Sequence, residues 1–284
     1  MKILIVGIST RALAQSAVAA GYEVISLDYF GDRDQPREAR VFSLWRDFEM
    51  PLTLNNLAVA AGALIDQADG VVIGAGLENE PAFFELAEKK TWLSNPQTAV
   101  LKGRDFRVIS NTLSDTSMKL PRTIFPGEEL PREGKWLIKD LQHSGGRSTS
   151  FWRDGSRLNQ NSILQEYLDG MLASATFVSN GQDSVLLGMT HQYAGEQALN
   201  SERFAWCGNV APLLDKKLHD IIQKTAEALT NDMGLIGING FDFILHDGEP
   251  YLIEINPRFC GSVELFEGPL GVNAFMLHVD ACGG

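Results

Sequence analysis

The sequence predicts an α/β and α+β protein in which a small doubly wound parallel α/β domain precedes a region of antiparallel sheets. The first observation is an alternation near the N-terminus, with an apolar run at residues 3–6, a helix-compatible stretch at 12–20 and a second apolar run at 23–28. Such alternation is typical of parallel α/β sheets. The second observation is a change after residue 94, where short apolar runs and turn residues predict antiparallel strands.

The first domain is expected to span residues 1–94. A second helix is predicted over 54–67, and the apolar run at 70–73 follows it as the next strand of the sheet. Open α/β sheets bind ligands at the carboxyl ends of their strands. We therefore expect the loops at 7–11 and 74–79 to face a functional site.

Residues 95–284 are expected to form the second domain, with a central subdomain at about 115–170 and a C-terminal subdomain at about 171–284. A helix is predicted at its start, over 100–113. Strands are predicted after it at residues 136–139, 148–153, 163–168, 173–178 and 184–189, with a turn at 180–181, a helix over 214–229, a hairpin over 241–256 and a helix that starts near Asn273.

The composition argues against several classes of function. The chain has 284 residues, of which 44% are hydrophobic, and a formal net charge of −12. A surface this acidic repels nucleic-acid phosphate and anionic lipid, so neither is expected as a partner. The three cysteines lack the spacing of a disulfide framework or a metal site, and no apolar stretch approaches the about 18 residues of a membrane span. A cytoplasmic enzyme is expected, and a homo-oligomer is left open.

The predicted hairpin over 241–256 carries the sharpest candidate site. Because side chains alternate between the faces of a strand, Glu254 and Asn256 share one face. If residues 247–249 form a three-residue loop, Asp242 lies directly opposite Glu254 on that face. Two carboxylates this close repel each other unless a cation lies between them, and three oxygen ligands of this kind suit Mg²⁺. The hairpin therefore predicts a magnesium site.

The alternative for this hairpin is an antiparallel edge that carries solvated acids. The pattern around the acids favours the metal site, because Ile253 and Ile255 are expected to point into a core and Arg258 follows Asn256 by two residues.

A strand followed by a glycine loop provides a candidate phosphate site. Lys139 ends an apolar strand, and the loop at 143–147 contains Gly145 and Gly146. A lysine held there can reach phosphate oxygens, and paired glycines let backbone N–H groups approach them. The alternative is a mobile surface turn.

The segment at 165–170 follows Lys139 by about 26 residues. A short strand that ends in this way can present backbone groups to an adenine edge and a carboxylate to a ribose. A plain strand end is the alternative.

Together these features resemble the ATP-grasp superfamily, and the most specific of them is the sequence Glu-Ile-Asn-Pro-Arg at 254–258. The stretches at 7–14, 27–32 and 74–79 resemble a narrower group of uncharacterised ATP-grasp carboligases and carboxylate–amine ligases. One departure is Asp140 after the strand lysine, where many relatives have proline. The resemblance implies that the antiparallel region has the ATP-grasp fold.

The resemblance also implies roles for individual residues. Nucleotide binding falls to Lys102, Lys139, Ser144, Gly145, Gly146, Gln165, Glu166, Tyr167, Leu168 and Asp169. Among these, Lys102 and Lys139 match phosphate lysines, Ser144 lies in a flap over the triphosphate, Leu168 offers a backbone N–H to adenine and Asp169 faces the ribose. The metal ligands are Asp242, Glu254 and Asn256, and the catalytic residues are Arg258 and Lys139.

The implied activity is the ATP-dependent activation of a carboxylate as an acyl phosphate, which an amine then attacks. ATP and one or two Mg²⁺ ions, with Mn²⁺ as a substitute, are the implied cofactors, and a small-molecule carboxylate and amine are the implied substrates. A carboligase that uses bicarbonate and a non-catalytic ATP-binding protein are the alternatives. The substrate cleft is expected between Arg258, Arg11 and Glu78, with the flap as its lid.

Overall fold

A computed structural model describes residues 1–131, 133–141, 149–153 and 158–283. Its strands form three sheets, one parallel and two antiparallel. The predicted fold class, a parallel α/β sheet followed by antiparallel sheets, is therefore confirmed.

The first sheet is parallel and has the strand order β3-β2-β1-β4-β5. Its strands are β1 (Lys2–Val6), β2 (Glu23–Asp28), β3 (Arg40–Ser43), β4 (Gly70–Ile73) and β5 (Thr91–Trp92), and the helices between them are α1 (Arg11–Ala19), α2 (Leu44–Phe48), α3 (Leu54–Leu64) and α4 (Pro81–Phe84). The central strand β1 is almost fully buried, as expected of a strand covered on both faces. Short 3₁₀ turns follow α3 at Ile65–Gln67 and α4 at Glu85–Glu88.

Two helices follow the first sheet in the chain and contact each other, α5 (Gln97–Arg104) and α6 (Phe106–Thr112). The sequence predicted one helix over 100–113, and the structure breaks it at Asp105. Asp105 has extended backbone angles, and its side chain accepts a hydrogen bond from the N–H of Arg107. Asp105 therefore caps a new helix instead of continuing the old one.

The second sheet is antiparallel, with the strand order β6-β9-β7-β8. Its strands are β6 (Thr123–Ile124), β7 (Trp136–Asp140), β8 (Thr149–Phe151) and β9 (Ser162–Glu166). Lys139 in β7 lies opposite Ile163 in β9 and Thr149 in β8.

The third sheet is also antiparallel and has the order β12-β11-β10-β13-β14. Its strands are β10 (Met171–Asn180), β11 (Ser184–Ala194), β12 (Trp206–Val210), β13 (Ile236–His246) and β14 (Glu249–Asn256), accompanied by the helices α7 (Lys216–Met233), α8 (Glu264–Leu270) and α9 (Ala274–Ala281). The bounds of α7 have clear causes, because Asp215 caps its N-terminus and Gly234 ends it with a left-handed φ of 72°. Further 3₁₀ turns lie at Gln197–Leu199 and Gly261–Val263.

The turn of the β13–β14 hairpin differs from the prediction. His246 pairs with Glu249, so the turn has two residues, Asp247 and Gly248, which both have positive φ. Such a turn suits the twist of a hairpin. An irregularity in the register between Asp242 and Phe243 then leaves Ile253 without an opposite residue. The shorter turn and this bulge offset each other.

The core of the first sheet includes residues from the C-terminal helix. Phe275 and Val279 of α9 are buried together with Ile3, Ile5 and Leu13. The last helix thus covers one face of the N-terminal sheet, while α3 packs on the other face. In the described residues, no helix is long and apolar enough to span a membrane.

Candidate active site

A cleft of about 340 Å³ lies between the second and third sheets. It brings together many of the residues predicted from the sequence, namely Lys139, Gln165, Glu166, Tyr167, Leu168, Asp169, Asp242 and Glu254. These residues come from strands that lie far apart in the chain, so the antiparallel folding of both sheets is what assembles the cleft.

The two predicted metal-binding carboxylates face each other. Asp242 pairs directly with Glu254 across β13 and β14, and Asn256 pairs with Gly240 two positions further on. Burial and the charge of Glu254 raise the pKa of Asp242 to about 7, although hydrogen bonds from Asn256 and Gln192 act in the opposite direction. Two carboxyl groups placed in this way favour a cation between them.

The chemistry of this donor set fits Mg²⁺, which prefers a few protein oxygens and leaves positions for phosphate and water. No group of three or more His, Cys, Asp or Glu side chains able to hold a metal lies in the described ranges. The predicted set has two such residues, Asp242 and Glu254, and an amide oxygen on Asn256. The pKa of Asp242 is raised first by burial and then by the charge of Glu254, and a bound Mg²⁺ would favour the ionised form of both carboxylates.

Lys139 is held at the floor of the cleft. Its ammonium donates to Gln165 Oε1 at 2.7 Å and to the carbonyl of Ile253 at 3.2 Å. Burial lowers its pKa to about 8, while the carboxylates of Glu254 and Asp242 act to raise it. The bulge explains the contact with Ile253, which lines the cleft instead of the core in which it was predicted. The lysine therefore points at the carboxylate pair.

The segment 165–170 has the features of a hinge. The N–H groups of Glu166 and Tyr167 donate to the carbonyls of Arg122 and Lys135. Within the described part of the chain, the N–H of Leu168 has no hydrogen-bond partner. The exposed Asp169 follows it at the edge of the cleft. Leu168 therefore has a donor available to a ligand.

Arg258 belongs to a network of charges next to the cleft. Its Nε donates to Glu78 Oε1 at 2.8 Å and its Nη2 to Asn256 Oδ1 at 2.9 Å. Arg104 donates to the same oxygen of Glu78 at 3.3 Å and to Glu254 Oε1 at 3.2 Å. Burial alone would lower the pKa of Arg258, but the carboxylate of Glu78 raises it, so this guanidinium stays charged.

Arg104 was not predicted, whereas Lys102 was, and the structure does not bring Lys102 to the cleft. The ammonium of Lys102 donates to the carbonyl of Asp232 in α7. Residues two apart on a helix point about 200° away from each other, so only one of the two can face β14. Arg104, the last residue of α5, is the one whose guanidinium reaches Glu254.

The substrate cleft was expected between Arg258, Arg11 and Glu78. Glu78 contacts Arg258, whereas Arg11 forms an ion pair with Asp34 and donates to Gln15. The flap residues Ser144, Gly145 and Gly146 lie outside the described residues.

The aromatic side chain of Phe204 also lines the cleft and was missed, whereas Tyr167 was predicted. Both rings lie against Phe151 of β8, with centroid distances of 5.5 Å for Phe204 and 5.2 Å for Tyr167. Arg203 stacks on Phe151 at 4.5 Å. Gln192, which bonds Asp242, was missed because the strand predicted to end at residue 189 continues to 194. No sequence pattern indicates that the 195–205 loop folds over the cleft.

The chain matches one family model and is similar to several known proteins. The family model of the ATP-grasp domain matches residues 105–262. The uncharacterized protein MJ0776 of Methanocaldococcus jannaschii is 23% identical, over 98% of this chain and 73% of that protein. The tyramine–L-glutamate ligase of the same organism is 25% identical over 52% of this chain, and the match spans 41% of that ligase.

Among solved structures, the biotin carboxylase of Campylobacter jejuni in complex with beta-gamma-ATP has a similar fold. Its TM-score is 0.74 with 16% identity, and the match covers 100% of this chain and 71% of that one.

Proposed function

Because the chain belongs to the ATP-grasp domain family, we propose that it is an ATP-dependent ligase that activates a carboxylate as an acyl phosphate for attack by an amine. The observation that carries this proposal is the convergence of Lys139 and the Asp242–Glu254 pair in one cleft, with Arg258 beside it. A protein that only binds ATP has no need of such a set of charges around the phosphate end of the site.

ATP occupies the cleft with its base at the apolar end. Leu172 and Ile244 line that end, and the N–H of Leu168 donates to the adenine edge. Asp169 accepts from the ribose, and Lys139 neutralises phosphate oxygens. The flap around Ser144, Gly145 and Gly146 completes the phosphate site in this proposal.

Asp242, Glu254 and Asn256 hold Mg²⁺ in this proposal, with Mn²⁺ as a substitute. When bound, the ion neutralises the charge that builds up on the phosphate oxygens during transfer. The chain contributes the ligand oxygens and their orientation, since Arg104 and Arg258 hold Glu254 and Asn256 by hydrogen bonds.

The reaction has two steps. A carboxylate oxygen attacks the γ-phosphorus, the bond to the β,γ-bridging oxygen breaks, and ADP leaves with that electron pair. The nitrogen of a neutral amine then attacks the acyl carbon, inorganic phosphate leaves, and the amine proton passes to phosphate or water. Lys139 and Arg258 stay charged and offset the negative charge of the first step.

The tyramine–L-glutamate ligase supports an amine as the acceptor, since the bond that its name implies joins an amine to a carboxylate. The resemblance noted in the sequence supports small-molecule substrates for both positions. In this proposal the chain has two domains, residues 1–94 and residues 95–284.

An ADP-release assay with paired substrates tests the function. The protein is incubated with Mg·ATP and a panel of carboxylates, each with and without a panel of amines, and the amide is detected by mass spectrometry. The proposal expects ADP and amide in equal amounts for at least one pair. ADP that depends on bicarbonate alone would indicate the carboligase, and ATP binding without any turnover would indicate a non-catalytic protein.

A further inference from the structure

Glu78 is an unusual residue in this structure because its carboxylate is almost fully buried, with 1% of the side chain exposed. It lies in the 74–79 loop, which follows β4 of the first sheet. Carboxylates are rarely buried unless they are paired. The burial of Glu78 therefore requires specific partners for its carboxylate.

Both oxygens of Glu78 have partners. Oε2 accepts from the N–H of Gly76 at 2.7 Å, which fixes the side chain to its own loop. Oε1 accepts from Arg258 at 2.8 Å and from Arg104 at 3.3 Å. Burial alone would raise the pKa of Glu78, but the two guanidinium groups lower it below its ordinary value, so the carboxylate is ionised.

One carboxylate oxygen thus joins two guanidinium groups that would otherwise repel each other. Each arginine continues to a different predicted metal ligand, Arg104 to Glu254 and Arg258 to Asn256. Glu78 therefore connects the loop after β4 to the hairpin that carries the predicted metal ligands, and Asn79 of the same loop accepts a further hydrogen bond from Arg104. The side chains of both arginines are largely buried, with 13% and 14% exposed.

We propose that Glu78 is a positioning residue that orients the guanidinium of Arg258 toward the anionic oxygens at the reaction centre. This inference rests on the proposed function and deepens it. The Nε of Arg258 is bound to Glu78, and its Nη2 is bound to Asn256. Among the described residues, Nη1 has no hydrogen-bond partner.

An arginine held in this way keeps one edge of its planar fork free. That edge matches two oxygens of a carboxylate or a phosphoryl group, which arginine binds in parallel hydrogen bonds. Without the negative charge of Glu78, the two guanidinium groups repel each other, and the charge-assisted contact that fixes the plane of Arg258 weakens. Affinity for an anion at the reaction centre then falls, while the distant adenine contacts are unchanged.

The test uses Glu78→Gln, which keeps the shape and removes the charge. Glu85→Gln is the matched control, because Glu85 lies on the same domain and is exposed. Calorimetry gives the Kd of Mg·ADP alone and with orthovanadate, an analogue of the transferring phosphoryl group. We expect Mg·ADP to bind equally well to all three proteins and the tightening by vanadate to fall about tenfold in Glu78→Gln, as for a lost charge-assisted contact.

A second arm separates the two sources of anionic oxygen. With the carboxylate found in the substrate screen, a raised KM for the carboxylate and an unchanged KM for ATP would place the carboxylate at Arg258. A loss confined to the vanadate measurement would place the phosphoryl group there. Either result supports the proposal.

Failure of the proposed function and failure of the role of Glu78 give different results. Wild-type protein that does not bind Mg·ADP contradicts the proposed function. Wild-type protein that binds and turns over, with a Glu78→Gln variant equal to it in both arms, overturns the role of Glu78. If thermal unfolding shows that Glu78→Gln does not fold, Glu78→Asp replaces it, since that change keeps the charge and withdraws the oxygen from Arg258.

Discussion

Asp242 and Glu254 lie directly opposite each other on the β13–β14 hairpin, and their carboxylates share one side of the cleft. Burial and mutual repulsion make this pair unfavourable without a cation, as the raised pKa of Asp242 shows. In the free protein this carboxylate pair therefore costs stability, and a cation bound between the two carboxylates would offset that cost. Lys139 supplies part of the compensation from the second sheet.

Replacing Asp242 with Asn should separate stability from function. At pH 8 in EDTA, the variant should be more stable than wild type by on the order of 1 kcal/mol, because an unfavourable buried charge is removed. It should also lose the binding of Mg·ATP and all turnover. Urea unfolding and calorimetry measure the two effects. Asp183→Asn, on an exposed turn, should change neither, and a destabilised Asp242→Asn protein would contradict this account of the pair.

Lys139→Met keeps the apolar stem of the side chain and removes its charge. A hydrogen bond from a charged donor is worth about 1.5–3 kcal/mol, so Mg·ADP should bind about ten- to a hundredfold more weakly. The free protein should fold normally, since burial already weakens the charged form of this lysine. Lys119→Met, at an exposed lysine, is the control for general charge effects. Equal Kd values for Lys139→Met and wild type would remove Lys139 from the phosphate site.

Gly170 should not tolerate a side chain. A Cβ at this position would lie 2.3 Å from the carbonyl oxygen of Leu245, and backbone cannot move aside as a side chain can. Gly170→Ala should therefore cost about 1–3 kcal/mol of stability and weaken nucleotide binding, because the residue ends the hinge. Gly62→Ala is the contrast, since a Cβ on this helical glycine meets no atom within 4 Å. Thermal unfolding of both variants checks the difference, and equal melting temperatures would contradict it.

His278 should make stability depend on pH. It is buried between the first and third sheets, where Nδ1 accepts from the N–H of Ile238 and Nε2 bonds the carbonyl of Leu93. Burial lowers its pKa to about 4, from 6.5 in the unfolded chain. Between these values only the unfolded chain binds the proton, so stability falls as the pH decreases from 6.5 to 4, by up to about 1.4 kcal/mol per pH unit.

The test of this pH dependence compares wild type with His278→Gln by urea unfolding at pH 7.5, 6 and 5. The variant should be less stable at neutral pH and should lose less stability on acidification, since glutamine has no proton to bind. His219→Gln, at an exposed histidine, should follow the wild-type slope. A His278→Gln protein with that same slope would show that the acid sensitivity comes from other groups.

Local sequence patterns predicted much of this fold, whereas contacts between residues far apart in the chain could not be predicted from them. The opposition of Asp242 and Glu254 was predicted correctly from a three-residue turn, yet the structure reaches it through a two-residue turn and a bulge at Ile253. Both routes give the same register, so alternation alone could not distinguish them. The pairing of Glu78 with Arg258 joins residues 180 positions apart and depends on how two sheets dock.

The choice between Lys102 and Arg104 shows a second limit. Sequence resemblance pointed to a lysine in this region, but the side of α5 that faces the hairpin is the one that carries its buried residues, Ala99, Val100 and Gly103. Asp105 then ends this helix directly after Arg104 by capping α6. The capping property of an aspartate could have indicated the break, whereas the contact of Arg104 with Glu254 could not have been predicted before the fold was known.

The central claim is that a substrate carboxylate attacks the γ-phosphorus of ATP. It is tested most directly with a carboxylate labelled with ¹⁸O in both oxygens, by measuring the label in the inorganic phosphate released during turnover. The account predicts that one labelled oxygen per turnover moves from the carboxylate to phosphate, because the bond that breaks when the amine attacks is the one between the acyl carbon and that oxygen. Turnover that leaves the phosphate unlabelled would contradict the account.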